Sequence, residues 1–273
     1  MKPFDPALMR RYPVSTRVNQ VHNHDGLRKV AGTRSGSNSE TIVVIPNNDK
    51  ATRKRVKIGF SLLGALLIDV TALFVFGWLA EEVLEGDTQK FDAFVRNTVH
   101  QVATPRLTHL MQAFSVLGSV AVVTTLSLLV ICAFVYFHHA RTAALLAITM
   151  LGAGGLDIGL KHAFHRARPV GFFGLSPSSY SFPSGHALGA LCFYAALAAI
   201  LSARARGRAA QFCIWIAATL LIAMIGFSRI YLGVHYPSDV IAGYCAAAVW
   251  IGMVFFLDRT LGKERRRRRM ATS

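Results

Sequence analysis

Residues 228–239, SRIYLGVHYPSD, separate two long apolar runs near the end of the chain. They place an arginine, a histidine and an aspartate (Arg229, His235 and Asp239) where two membrane helices would meet. One ionisable residue at the end of a membrane helix often extends towards the interface, whereas a cluster that can pair internally indicates a functional site. The rest of the sequence decides between these two interpretations.

The composition indicates an integral membrane protein. Of the 273 residues, 53% are hydrophobic and only 16% are charged, which is too apolar for an ordinary soluble domain. A helix needs about 20 mainly apolar residues to cross a bilayer. We therefore predict an all-α fold, a bundle of six transmembrane helices, with spans at residues 58–80, 117–137, 143–160, 184–202, 211–227 and 238–257.

The segment between the first two spans has its own pattern. Phe91, Phe94, Val95 and Val99 recur there at helical spacing among polar residues. This spacing predicts an amphipathic interfacial helix between helices 1 and 2, at the outer face of the membrane. The helix would either cover the end of the bundle or control access to it, and the spacing does not separate these roles.

The charged residues predict the orientation in the membrane. The formal net charge is +16, and Lys and Arg are concentrated before the first span (RKRVK), between the fourth and fifth (ARARGR) and after the sixth (KERRRRR). The loop after the first span is instead acidic, with Glu81, Glu82, Glu85 and Asp87. By the positive-inside rule both termini are cytoplasmic. We expect the basic tails to attract anionic lipid rather than nucleic acid, which short basic runs also bind.

These patterns divide the chain into three parts. Residues 1–57 are polar with little apolar periodicity and are predicted to form a mostly disordered cytoplasmic tail, in which the isolated run TIVVIP is left unassigned. Residues 58–257 form the membrane domain. Residues 258–273 form a basic cytoplasmic tail. The first span is too long for the apolar region of a signal peptide, so we expect it to be retained in a multi-pass protein of the cytoplasmic membrane.

With both termini inside, three polar segments lie at the outer face. The first is KHAFHRARP at residues 161–169, after the third span. The second is PSGH at residues 183–186, before the fourth span. The third is the stretch at residues 228–239. Segments that are distant in the sequence are therefore expected to meet at one end of the bundle.

The residue types in these segments suit a phosphate group. Lys161, Arg168 and Arg229 can surround a tetrahedral dianion, and guanidinium groups can contact it in a bidentate manner. Ser184 directly precedes an apolar helix and is a natural N-cap, while Gly185 permits close approach. The free N–H groups of that first helical turn form an anion site and would stabilise charge during phosphoryl transfer.

Two histidines suit the chemistry of transfer. Asp239 follows His235 by four residues, one helical turn if the helix begins there, and Pro237 is tolerated in a first turn. Its carboxylate can accept the ring N–H and leave the other nitrogen as a nucleophile. His186 would protonate the leaving oxygen, which predicts a bell-shaped pH profile with His235 neutral and His186 protonated in the free enzyme. The predicted intermediate is a phosphohistidine that water hydrolyses, with no metal or cofactor required.

Two acids lie within predicted spans, where an isolated charge is expensive. Asp157 precedes Lys161 by four residues and could orient its ammonium group. Asp69 lies in the middle of the first span, and the sequence leaves open whether it has a structural or a functional role.

The three motifs K-x6-RP, PSGH and SR-x5-H-x3-D occur in the order of the tripartite signature of the type 2 phosphatidate phosphatase and haloperoxidase superfamily, which the chain resembles over about residues 60 to 257. The resemblance implies a six-helix membrane bundle and metal-independent dephosphorylation. It also implies roles for the matching residues. Phosphate would be bound by Lys161, Arg168, Ser184, Gly185 and Arg229; His186 would be the acid, His235 the nucleophile and Asp239 its partner.

Four functions fit this sequence. The favoured one is a lipid phosphatase at the outer face of a bacterial cytoplasmic membrane, acting on phosphatidate, phosphatidylglycerol phosphate or undecaprenyl diphosphate. A phosphotransferase would use the same intermediate. A vanadate haloperoxidase would use the same phosphate cradle, but those enzymes are soluble and six spans argue against one. A non-enzymatic lipid binder would not need both His235 and Asp239. The oligomeric state is left open.

Overall fold

The computed structural model describes residues 27–31, 42–46, 49–174 and 178–271. The described part contains two strands, eight α-helices and one 3-10 turn. The strands are β1 (Leu27–Ala31) and β2 (Ile42–Pro46). The helices are α1 (Asp49–Glu85), α2 (Gln89–Gln101), α3 (Pro105–Leu117), α4 (Val120–Tyr136), α5 (Ala140–Phe164), α6 (Gly185–Arg204), α7 (Arg208–Tyr231) and α8 (Pro237–Ala271), with the 3-10 turn at Phe172–Gly174.

Two compact units divide the chain at residues 63 and 64. In the N-terminal unit β1 and β2 pair antiparallel, with Leu27 opposite Pro46 and Ala31 opposite Ile42. The all-α prediction therefore applies to the membrane domain and not to this strand pair. The β-branched run at 42–45 favours a strand, and helix α1 begins at Asp49 within the predicted tail. The rest of that tail lies outside the described residues.

Among the described residues, five helices are long and apolar enough to cross a membrane: Leu63–Glu85 of α1, all of α5, α6 and α7, and Pro237–Gly262 of α8. Helices α3 and α4 meet the same criterion only together, as a pair bent by 46°. The structure thus has five candidate spans, or six if this pair counts as one crossing. The span predicted at 117–137 nearly coincides with α4, but it meets the criterion only together with α3, because the chain breaks at Gly118 and Ser119, where the Ser119 hydroxyl caps α4.

The break between α3 and α4 has a packing reason. A Cβ atom on Gly118 would lie 2.3 Å from Cγ2 of Ile225 on α7, so only glycine permits this approach. Helix α8 also differs from the prediction, since it continues through the basic residues to Ala271. Arg, Lys and Glu are good helix formers, and their charge does not end a helix.

Helix α2 confirms a helix between the first two predicted spans. Phe91 and Phe94 are 51% and 70% exposed, whereas Asp92 is fully buried. The helix therefore turns an acidic side chain towards the protein and its aromatic side chains outwards, as a helix bordering lipid would. Its position at the membrane interface stays a prediction.

Helix α6 lies at the centre of the bundle, packed against α4, α5, α7 and α8. Leu188, Cys192 and Phe193 on it are buried in two apolar clusters. At its start, the Ser184 N–H donates to the carbonyl of Asp239 at 2.9 Å. This bond joins the beginning of α6 to the beginning of α8, so the PSGH segment and the stretch at 228–239 are adjacent.

Candidate active site

Short loops bring the three polar segments together. The Ser181 N–H donates to the carbonyl of Arg166 at 2.9 Å, which folds the loop after α5 back on itself. The Phe172 N–H donates to the carbonyl of Leu232 at 3.0 Å, which ties that loop to the turn after α7. All eight predicted site residues therefore lie at one end of the bundle, on α5, α6, α7, α8 and the loops between them.

His235 and Asp239 form the predicted pair. Nδ1 of His235 lies 3.4 Å from Oδ2 of Asp239, and both residues are buried, at 1% and 0% exposed. The same Oδ2 accepts hydrogen bonds from the Ser181 hydroxyl and from the Tyr236 N–H. Because a carboxylate can only accept, the proton of the neutral imidazole is on Nδ1 and the lone pair is on Nε2.

Arg168 faces this lone pair. Its Nη1 lies 2.9 Å from Nε2 of His235 and 2.9 Å from the carbonyl of Val234. Nε and Nη2 donate to the carbonyl and hydroxyl of Ser179, at 2.6 and 2.9 Å. Burial lowers the pKa of Arg168, and the charges of Asp239 and Asp157 oppose that shift. The guanidinium is thus held directly beside the candidate nucleophile.

Lys161 and Gly185 meet at Asp157. The Lys161 ammonium donates to Oδ2 of Asp157 at 2.8 Å, as the spacing of four residues predicts. A Cβ atom on Gly185 would lie 2.5 Å from Oδ1 of Asp157, so any larger residue would displace this ion pair. Gly185 is therefore needed for close approach, as predicted. The group that approaches it in this structure is the Asp157 carboxylate.

Ser184 occupies the N-cap position of α6 but does not cap it. Its hydroxyl makes no capping hydrogen bond, and it is buried without a partner among the described residues. The expectation that this side chain caps the helix is therefore wrong. The hydroxyl and the first N–H groups of α6 are left as donors for an anion.

The remaining two predicted residues are held by α3 and the break that follows it. Arg229 is 8% exposed and donates through Nη1 to the hydroxyl of Ser115 on α3, while its Nε lacks a partner among the described residues. A Cβ atom on Gly118 would also lie 3.4 Å from Cδ2 of His186, so the break in the chain leaves space for this ring. No hydrogen bond joins the His186 ring to another described residue.

Sequence reasoning missed several polar residues here. Ser181 and Ser115 contact Asp239 and Arg229, and Arg166 contacts both Asp239 and Asp92. Arg166 lies inside the first motif, at one of the six unspecified positions of K-x6-RP. The available signal for Asp92 was its position, since it is an acidic residue among the apolar positions of α2.

The acid limb of the pH profile is expected at unusually low pH. Burial lowers the pKa of His235 from 6.5 to about 4, with Arg168 and Arg229 adding to the shift and Asp239 opposing it. A nucleophilic His235 must be neutral, so it is available above about pH 4 instead of above 6.5. We expect kcat/KM to stay high down to about pH 5 in a detergent assay. An acid limb at or above pH 6.5 would contradict this environment.

The geometry of this end of the bundle suits a histidine-based site for a phosphate group. Arg168 contacts the buried His235–Asp239 pair, and Ser184 at the N-terminus of α6 is joined to Asp239 by a backbone hydrogen bond. The five or six membrane helices place this site in a multi-pass membrane protein.

Comparison with known proteins shows what the chain is similar to. Residues 142–262 match the PAP2 superfamily. Phosphatidylglycerophosphatase B of Bacillus subtilis is 27% identical over 200 residues, which are 72% of this chain and 98% of that protein. Lipid A 1-phosphatase of Rhizobium johnstonii is 37% identical over 121 residues, which are 41% of this chain and 45% of that protein.

A solved structure shares the fold. The crystal structure of the transmembrane PAP2-type phosphatidylglycerolphosphate phosphatase from Bacillus subtilis aligns with a TM-score of 0.65 at 24% identity, covering 70% of this chain and 96% of that one. The resemblance inferred from the three motifs is confirmed by this match of residues 142–262 to the PAP2 superfamily and by the phosphatases to which the chain is similar. The relatives named by the comparison are phosphatases, which supports a phosphoric monoester hydrolase.

Proposed function

We propose that this protein is an integral-membrane, metal-independent lipid phosphatase that removes phosphate from a lipid phosphate or diphosphate through a phosphohistidine intermediate. The observation that carries the proposal is the buried His235, whose Nδ1 faces Asp239 and whose Nε2 faces Arg168. One nitrogen is fixed by a carboxylate, and the other lies beside a phosphate-binding cation. The arrangement of charge in the membrane sequence favours a site at the outer face.

In the first half-reaction the lipid phosphate binds among Lys161, Arg168 and Arg229. Nη1 of Arg168 moves its hydrogen bond from Nε2 of His235 to a phosphate oxygen, which frees the lone pair. Nε2 attacks phosphorus, the bond from phosphorus to the lipid oxygen breaks, and His186 gives its proton to that oxygen. The bound phosphate supplies the negative charge beside which a protonated His186 is stable.

In the second half-reaction water replaces the lipid alcohol. His186, now neutral, takes a proton from water, whose oxygen attacks phosphorus as the bond to Nε2 breaks. Inorganic phosphate leaves, and His235 returns to its neutral form with the proton on Nδ1. Asp239 balances the positive charge of the phosphorylated ring throughout, as a buried carboxylate does beside a catalytic imidazole.

Phosphatidate, phosphatidylglycerol phosphate and undecaprenyl diphosphate are the proposed substrates. The candidate site residues suit the phosphate group that these lipids share, so they do not rank the lipids. The names of the relatives support a lipid phosphate and extend the range to lipid A. A phosphotransferase would form the same intermediate, and the supply of an acceptor other than water would distinguish it.

Phosphate release by the purified protein in detergent tests this function. We expect release from at least one of four lipids, namely phosphatidate, phosphatidylglycerol phosphate, undecaprenyl diphosphate and lipid A. Neither EDTA nor His162→Ala, which replaces a histidine outside the site, should reduce this release. Loss of release in EDTA that magnesium restores would contradict metal independence. No phosphate release from any lipid, together with transfer of the phosphoryl group to an added acceptor alcohol, would replace the phosphatase by a phosphotransferase.

A further inference from the structure

We propose that Arg166 and Asp92 are positioning residues that hold the Asp239 carboxylate against His235 and make helix α2 part of the catalytic centre. The juxtaposition is a buried line of alternating charge, Asp92–Arg166–Asp239, that ends at the nucleophile. This inference rests on the proposed function, since it assigns a task to residues around the same histidine. It also gives helix α2 a role in addition to covering the end of the bundle.

Arg166 fixes one oxygen of Asp239. Its Nη1 lies 2.6 Å from Oδ1 of Asp239 and 2.8 Å from the hydroxyl of Ser238. The guanidinium carbon lies 4.1 Å from the centre of the Tyr236 ring. The other oxygen of Asp239 faces His235, Ser181 and the Tyr236 N–H. With both oxygens engaged, the carboxylate cannot rotate away from Nδ1 of His235.

Asp92 fixes Arg166 from the opposite side. Its Oδ2 lies 2.8 Å from Nη2 of Arg166, and the same Nη2 lies 2.9 Å from the hydroxyl oxygen of Thr88. Asp92 also accepts from the N–H and the hydroxyl of Ser238, at 3.0 and 2.7 Å. A carboxylate at the first turn of α8 is favoured by the helix dipole. Asp92 therefore orients Arg166 and holds the start of the helix that carries Asp239.

Burial makes the charges interdependent. Asp92 and Asp239 are fully buried, and the Arg166 side chain is 12% exposed. Removing one member leaves an uncompensated buried charge, which costs far more than an exposed pair would. With all three present, one net negative charge remains to stabilise a positively charged His235 ring. A purely structural ion pair would not need to end on a catalytic carboxylate.

The charges around His235 predict opposite effects of two substitutions. The groups facing or influencing His235 are Asp239 on α8, Arg168 on the loop after α5, Arg229 on α7 and His186 on α6. Arg166→Gln removes a positive charge, which favours protonated His235 and moves the acid limb of kcat/KM up by roughly one pH unit. Asp92→Asn removes a negative charge and moves the limb down. The double variant restores the net charge and returns the limb towards its original position.

Kinetics separate positioning from substrate binding. We expect Arg166→Gln to lower kcat by roughly 10- to 100-fold, by analogy with the loss when a partner that orients a metal-ligating side chain is removed, with little change in KM. Arg166→Lys keeps the charge and should recover part of kcat. Arg141→Gln is the matched control, because it breaks an arginine–aspartate pair with Asp258 at a different place in the fold and should leave kcat and the limb unchanged. Thermal unfolding of each variant reports folding, and Asp92→Asn tests the charge if Arg166→Gln does not fold.

Histidine-selective NMR of the full-length protein in detergent gives a readout that does not depend on turnover. The signal of His235 is assigned by its loss in His235→Gln, and its titration should shift up in Arg166→Gln and down in Asp92→Asn. Unshifted titrations with a wild-type kcat in both variants would overturn the inference. If His235-dependent phosphate release persists in that case, the proposed function stands. If the wild type releases no phosphate while the titrations shift, the function fails and the positioning role stands.

Discussion

Replacing His235 by alanine is expected to lower kcat by roughly 10⁴-fold or more, the scale seen when an enzyme loses its nucleophile. The lone pair on Nε2 of His235 faces a candidate phosphate-binding cation, since this atom lies 2.9 Å from Nη1 of Arg168. Without it, the proposed acceptor of the phosphoryl group is missing. Phosphate release from the best lipid substrate, followed for hours at high enzyme concentration, measures the residual rate.

His162→Ala is the control for this substitution. The His162 side chain is exposed, and its Nδ1 contacts the carbonyl of Ile158 within α5, away from Asp239. Activity equal to that of the wild type is expected there. A His235→Ala protein that is folded and retains more than a small fraction of wild-type kcat would show that another group performs the attack.

Replacing His186 by alanine is expected to affect substrates unequally. Expulsion of a diacylglycerol alkoxide needs a proton, so phosphatidate turnover should fall by the roughly 10²- to 10⁴-fold that general acid catalysis contributes. Undecaprenyl diphosphate expels a phosphate monoester, which is a better leaving group and needs less protonation. The comparison uses kcat/KM of both lipids with the same enzyme preparation. Equal losses on the two lipids would remove the assignment of His186 as the acid.

The helices that could be predicted are those whose apolar runs are long enough to specify them locally. The spans at 143–160, 184–202 and 211–227 lie within or nearly coincide with α5 (Ala140–Phe164), α6 (Gly185–Arg204) and α7 (Arg208–Tyr231). The break at Gly118 could not be predicted, because it depends on contact with Ile225 on a distant helix. The strand pair β1–β2 lies in a segment whose composition alone indicates disorder.

The motif residues could be placed together because their order and the predicted topology bring three loops to one face. His235 and Asp239 are four residues apart, so their pairing follows from a helical turn. Arg166 and Asp92 are separated by 74 positions, and nothing in either local pattern indicates the other. Contacts of this kind depend on how α2 packs against the loop after α5, which periodicity and spacing do not specify.

Trapping the phosphoryl group on the protein tests the central claim most directly. Enzyme is mixed with lipid labelled at the terminal phosphate, quenched in base within milliseconds to seconds, and digested for mass spectrometry. We expect an acid-labile, base-stable phosphoryl group on His235, absent from His235→Ala. It should accumulate in His186→Ala with the diphosphate substrate, because this variant lacks the base for the hydrolysis step. Phosphoryl label on another residue, or single-turnover hydrolysis with no protein-bound phosphate and inversion at phosphorus, would contradict it.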